Sequence, residues 1–125
     1  MKFIFHIANI LLIVFYLFPG SILGCLLYND CKSQPQITPD FIVSSNHVYA
    51  FTIISLLGFA TYTKGKSFKI IIAYLFFIAV FLELIHSIIP ERGFEVKDLG
   101  GNIFGVGISL VIFLIFKPRK KNGLI

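Results

Sequence analysis

ELIHSIIPERGFEVKDLGGNIFGVGIS, residues 83–109, is the stretch from which the rest of the chain can be read. It starts with a carboxylate inside an apolar run, turns at Pro90, and gathers Arg92, Asp98, Asn102 and several glycines at the head of a second apolar run. A charge at depth in hydrocarbon costs roughly 2.5–3.5 kcal/mol on insertion scales unless it is protonated, paired or facing water, so Glu83 marks a candidate site. Residues three and four apart share a helix face. Glu83, His86, Ser87 and Pro90 therefore form one polar stripe, and Asp98, Asn102, Gly105 and Ser109 a second. Because the connection between the runs is short, the two helices are expected to be antiparallel neighbours with these stripes facing. Gly101 and Gly105 stand at GxxxG spacing, which lets membrane helices approach closely, and Asp98 is placed to cap its helix.

Working outward, the composition fits only a membrane protein. The chain has 125 residues, is 57% hydrophobic, only 14% charged, and carries 15 phenylalanines, which is too apolar for an ordinary soluble domain. Four uncharged or nearly uncharged runs are long enough, or almost so, to cross a hydrocarbon core: residues 3–28, 41–63, 70–89 and 99–116. Pro19-Gly20 is expected to end the regular helix near Phe18 and leave residues 21–28 as a tilted or interfacial continuation. The expectation is an all-α, four-helix membrane bundle forming a single domain over residues 1–125.

The basic residues set its orientation. Of the 11 Lys and Arg, all but Lys32, Arg92 and Lys97 fall at the N-terminus, in the 64–69 turn or at the C-terminus. The positive-inside rule then puts both termini in the cytoplasm of a multi-pass inner-membrane protein and the Glu83–Asn102 region on the outer side. The basic residues flank apolar runs and form no basic face interleaved with stacking aromatics, so a nucleic-acid partner is not expected despite the net charge of +5. Tyr28, Tyr49 and Tyr62 fit a thin interfacial belt.

Several local features have two readings. Cys25 and Cys31 flank the start of the polar connection 29–40; they form a disulfide if that side is oxidising, or stand as one lipid-facing and one loop thiol. Residues 1–24 also admit a lipoprotein signal-peptide reading ending at Ile22-Leu23-Gly24-Cys25. Ser44-Ser45-Asn46-His47 either cap a helix and face a cavity or sit at the interface.

The polar residues Glu83, His86, Arg92, Asp98 and Asn102 either form a pocket or simply clamp the helices together. In the pocket reading Arg92 and Lys97 hold an anionic group, such as a lipid head group or lipid-linked glycan, and Glu83 or His86 exchanges protons. No metal is expected, because Glu83, His86 and Asp98 show no recognised ligand spacing, and no cofactor is expected.

At Glu83, Pro90-Glu91-Arg92, Asp98, Asn102 and Gly105 the chain resembles the VanZ-like family of small bacterial membrane proteins, over roughly residues 44–116. That family's most recognisable segment is an acidic residue in a late helix, a Pro-x-Arg turn, then Asp, Asn and glycines opening the next helix. Two departures stand out. An Asp-Lys-x-x-His-Phe signature frequent in the family is replaced by Asn46-His47-Val48-Tyr49-Ala50-Phe51, and a Gln usual after the late-helix Glu is replaced by His86. The segments PGSILGCLLYND and TPDFIVSSNHVYAF are similar to a subgroup accompanying exopolysaccharide biosynthesis. The resemblance implies a cell-envelope protein tied to surface polysaccharide production or to glycopeptide (teicoplanin-type) tolerance, without an established catalytic mechanism. Two other readings stay open: a non-catalytic accessory subunit whose GxxxG face packs against a polysaccharide synthase or transporter, and a small enzyme acting on a lipid-linked phosphate.

Overall fold

The computed structural model describes residues 1–117. It is helical, with α1 over Lys2–Leu17, α2 over Ile22–Tyr28, α3 over Ser45–Thr61, α4 over Gly65–Ile85 and α5 over Val96–Phe116; α4 runs on into a short 3-10 turn, His86–Ile88. Two segments, Gly65–Ile88 and Val96–Phe116, are each long and apolar enough to cross a membrane. The α1–α2 pair passes the same test only if its two parts, bent by 83°, are taken as one span. α3, at 17 residues, is shorter than a full span.

The break between α1 and α2 has a local cause. Pro19 removes a backbone donor and fixes φ, and Gly20 takes φ 107°, a conformation that favours glycine. Ser21 then restarts the helix by accepting the Gly24 N–H at 2.9 Å. Asn29 closes α2 in the left-handed region at φ 53°. Cys25 and Cys31 are joined by a disulfide, which ties α2 to the loop behind it. The alternative of two separate thiols is corrected by that bond.

α3 begins later than residue 41 because Asp40 ends the loop as its cap. Asp40 Oδ1 accepts the Ser45 N–H at 2.9 Å, and the Ser44 side chain, a candidate cap on sequence, makes no capping bond. In α5 the capping position falls to Glu95, with Asp98 in the first turn, where its negative charge complements the helix N-terminus.

α3 and α5 approach most closely. A Cβ added to Gly101 would stand 2.7 Å from the Ser44 carbonyl oxygen, and one on Gly105 would stand 2.8 Å from that of Val48. The GxxxG face is thus filled by α3 of the same molecule, and Ser109 Oγ reaches Thr52 O at 3.2 Å on the same seam. An accessory-subunit reading that relied on this face loses its surface.

Phe51, Phe59, Leu75, Ala79 and Val106 form the buried centre. The outside is also apolar: Phe3, Ile53, Phe77 and Ile115 are each at least 59% exposed. A belt of that kind would be an aggregation liability in water and is the ordinary surface of a protein solvated by lipid.

The chain runs up and down, so α1 and α4 end where α3 and α5 begin. His6 Nε2 lies 3.2 Å from the Tyr62 hydroxyl at one end, and Tyr16 meets His47 at the other. All six acidic residues belong to the second end or its loops, whereas Lys2, Lys64, Lys66, Lys69 and Lys117 belong to the first. Arg119, Lys120 and Lys121 lie outside the described residues.

Candidate functional site

The acidic end is built around a side chain that the sequence reading passed over. Tyr16, one residue from the end of α1 and 7% exposed, sends its hydroxyl into the centre of the bundle. That hydroxyl donates to Glu83 Oε2 at 2.5 Å and accepts from Asn102 Nδ2 at 2.6 Å. Glu83 on α4 and Asn102 on α5, the facing stripes, are therefore brought together through a third helix. Both are fully buried. Glu83 Oε1 also accepts the Glu95 backbone N–H at 3.2 Å, and Asn102 Nδ2 donates to the Ala79 carbonyl at 3.0 Å.

These partners fix the protons on the two histidines. Asn102 must turn its amide nitrogen toward Ala79 O, which can only accept, so its Oδ1 faces His47 Nδ1 at 2.8 Å. Tyr16 spends its one proton on Glu83, so toward His47 Nδ1, 2.9 Å away, it too can only accept. Nδ1 of His47 thus carries a proton, and Nε2 is left facing Asp98 Oδ2 at 3.7 Å. His86, 1% exposed, must likewise donate from Nε2 to the Tyr16 carbonyl at 2.8 Å. Its Nδ1 lies 3.4 Å from Glu83 Oε2. Ring packing adds rigidity, with Tyr16 stacked on His86 at 4.2 Å and edge-on to His47 at 5.3 Å.

The two cations expected to bind an anion are engaged elsewhere. Arg92 donates from Nη2 to Phe15 O at 3.0 Å and from Nε to Phe18 O at 3.2 Å, closing the C-terminal end of α1 whose carbonyls have no helical partner. Lys97 Nζ pairs with Asp40 Oδ2 at 2.9 Å. Asp40 is held well below the usual carboxylate range, at about 2, first by the Ser45 N–H and then by Lys97. Ser87 points away and bonds Leu84 O of its own helix, so the α4 stripe contributes Glu83 and His86 to the site and not Ser87.

A cleft of about 790 Å³ opens onto this network. Tyr16, His47, Glu95 and Asp98 line its polar end, Arg92 its edge, and Leu12, Phe15, Ile53 and Ile54 its apolar walls. The segment 34–37 crosses over it, held by Gln36 Nε2 to Asp40 Oδ1 at 2.8 Å and by Asn46 Nδ2 to Pro35 O at 2.6 Å. A smaller space of about 500 Å³ lies at the other end between α1 and α4, beside His6, Asn9, Tyr62 and Tyr74.

No family model, curated protein or solved structure matches this chain. Chemistry must therefore be argued from the cleft itself. Its polar end offers hydrogen-bonding groups of both kinds and an imidazole, and its walls offer hydrocarbon. The arrangement suits a molecule that is polar at one end and oily at the other.

Proposed function

We propose that this chain is a multi-pass protein of the bacterial cytoplasmic membrane, a four-span bundle with both termini cytoplasmic, whose outward-facing cleft receives the polar end of a lipid-linked glycan or similar amphiphile. The observation that carries the reading is the cleft: apolar walls from α1 and α3 lead to a polar floor of Tyr16, His47 and Asp98. Sugar hydroxyls match carboxylate, amide and imidazole partners, while a polyprenyl or acyl chain matches Leu12, Phe15 and Ile53. The separation of basic and acidic ends supports the orientation. So does the Cys25–Cys31 disulfide at the acidic end, since such bonds persist in oxidising compartments.

On this reading α3 crosses with its polar end flush with the outer surface, and α1 with α2 forms one bent span. Of the residues that resemble the VanZ-like segment, Asp98 lines the cleft, while Glu83 and Asn102 lie buried behind it and bond the floor residue Tyr16; this supports a role in surface glycan production or glycopeptide tolerance. Arg92, the fourth residue of that resemblance, acts by holding the end of α1 and so the position of Tyr16.

The test is genetic. In the native host, deletion should cause loss of surface polysaccharide or of teicoplanin tolerance, and Glu83→Gln and Tyr16→Phe should each reproduce that loss with the protein still present in the membrane. Full function from both variants would overturn the assignment.

A further inference from the structure

The cleft poses an electrostatic problem for any lipid-linked glycan, because such a molecule carries phosphate and the polar end is acidic. Asp98 and Glu95 line it, Glu83 is buried close behind, and the nearby cations Arg92 and Lys97 are turned to Phe15 O, Phe18 O and Asp40. A phosphate placed there meets like charge without a free partner among the described residues.

The His47–Asp98 contact points to the solution. With the Nδ1 edge of His47 taken up by Asn102 and Tyr16, Nε2 faces a carboxylate oxygen 3.7 Å away, too far for a direct hydrogen bond. A cation between the two would draw both toward it. Glu83 completes the group: one ligand atom each from His47, Glu83 and Asp98 lies within 4.8 Å of the others. Around a metal with bonds of about 2.1 Å in tetrahedral geometry, ligand atoms stand about 3.4 Å apart, so the side chains close in by up to about 1.4 Å to complete the set.

We propose that His47, Glu83 and Asp98 hold a divalent cation, of the zinc or manganese class, which bridges the protein to the phosphate of an amphiphile in the cleft. One imidazole and two carboxylates form a mixed nitrogen and oxygen set suited to those ions. The supporting contacts are those a metal ligand needs. Asn102 accepts from Nδ1 of His47 and so aims Nε2; Tyr16 and the Glu95 N–H orient Glu83. Glu83 accepts three bonds at most from Tyr16, His86 and Glu95, leaving one of roughly four lone-pair sites for the ion. His47 and Asp98 line the cleft, so an ion held by three protein ligands would keep positions on that side for phosphate oxygen or water. This inference rests on the amphiphile reading for its second partner, but the cation site is testable alone.

The full chain is purified in detergent, stripped with EDTA, and titrated with Mn²⁺ by loss of the free-ion spin-resonance signal and with Zn²⁺ by mass spectrometry of the metal. About one equivalent is expected. His47→Gln, which keeps a donor toward Asn102, and Asp98→Asn should each weaken binding at least tenfold, with thermal unfolding confirming that both fold; Asp30→Asn, on an exposed loop away from the cleft, should leave it unchanged. Absence of a bound ion, or an ion indifferent to both ligand substitutions, overturns the site. In a second arm, a short polyprenyl phosphate is offered with and without Mn²⁺. Binding at least tenfold tighter with metal supports the bridge. Equal binding in both arms overturns the bridge and leaves the amphiphile reading standing; binding in neither overturns the bridge and counts against that reading as well.

Discussion

Tyr16 carries more of the site than any other side chain, because one hydroxyl meets three helices. Its removal leaves Glu83 without its shortest partner and Asn102 Nδ2 with one acceptor fewer. A buried group deprived of its partner costs about 1–3 kcal/mol, so Tyr16→Phe should lower stability by that amount in a detergent unfolding curve, with no loss of packing volume to confuse the result. An unchanged midpoint would mean that the network is not formed. Glu83, His86, Asp98 and Asn102 were legible in the sequence because a polar group in an apolar run needs a reason to be there. Tyr16 was not, since tyrosine is ordinary near span ends. The missed signal is that His6, Asn9 and Tyr16 fall on one face of α1 at helical spacing, and each finds a partner across the bundle: Tyr62, Tyr74 and Glu83. Arg92 was picked out for its charge, yet its structural use is the geometry of its donors. No sequence pattern distinguishes an arginine that binds an anion from one that closes a helix.

At the scale of elements, the α3–α5 seam is where glycine is required. Gly105→Ala pushes a methyl against Val48 O and Phe51 and should destabilise by about 1–3 kcal/mol, the usual cost of overpacking. Gly107, on the same helix, has nothing within 4 Å of an added Cβ. Gly107→Ala should therefore stabilise by about 0.5–1 kcal/mol through helix propensity alone, and opposite signs in parallel unfolding curves check the pair. The loop over the cleft has its own test. Asp40 is depressed from the ordinary 3.8 of an unfolded chain to about 2 in the folded protein, so its contribution is complete above the unfolded value and is lost as pH falls from 3.8 through about 2. Protection of the Ser45 amide in hydrogen exchange should fall across that window, and Asp40→Asn should abolish the dependence. GxxxG spacing made the close approach legible, but not that the partner is α3; the length of α3 was overread because residues 41–44, though uncharged, are drawn into the loop by Asp40.

For the whole molecule, alternating apolar runs and lysine placement made the helical architecture readable, and Pro19-Gly20 located the break. The 83° turn that α2 takes was not readable, because it depends on Ser21, the Cys25–Cys31 bond and the loop to which that bond leads. The proposed orientation makes a sharp prediction: in a background with both native cysteines replaced by serine, Glu95→Cys should react with an impermeant thiol reagent added outside, and Lys66→Cys only after the membrane is opened. The reverse pattern would place the cleft in the cytoplasm.

The claim that the acidic-end cleft receives a lipid-linked glycan is tested most directly by binding in nanodiscs, comparing a short polyprenyl-phosphate glycan with phosphatidylcholine by native mass spectrometry. Ala50 lines the cleft, and Ala50→Phe narrows it while replacing none of the network's side chains. The account predicts a selective complex for the native chain and at least tenfold weaker binding for Ala50→Phe. Equal retention of both lipids, or a complex that survives the narrowed cleft, would contradict it.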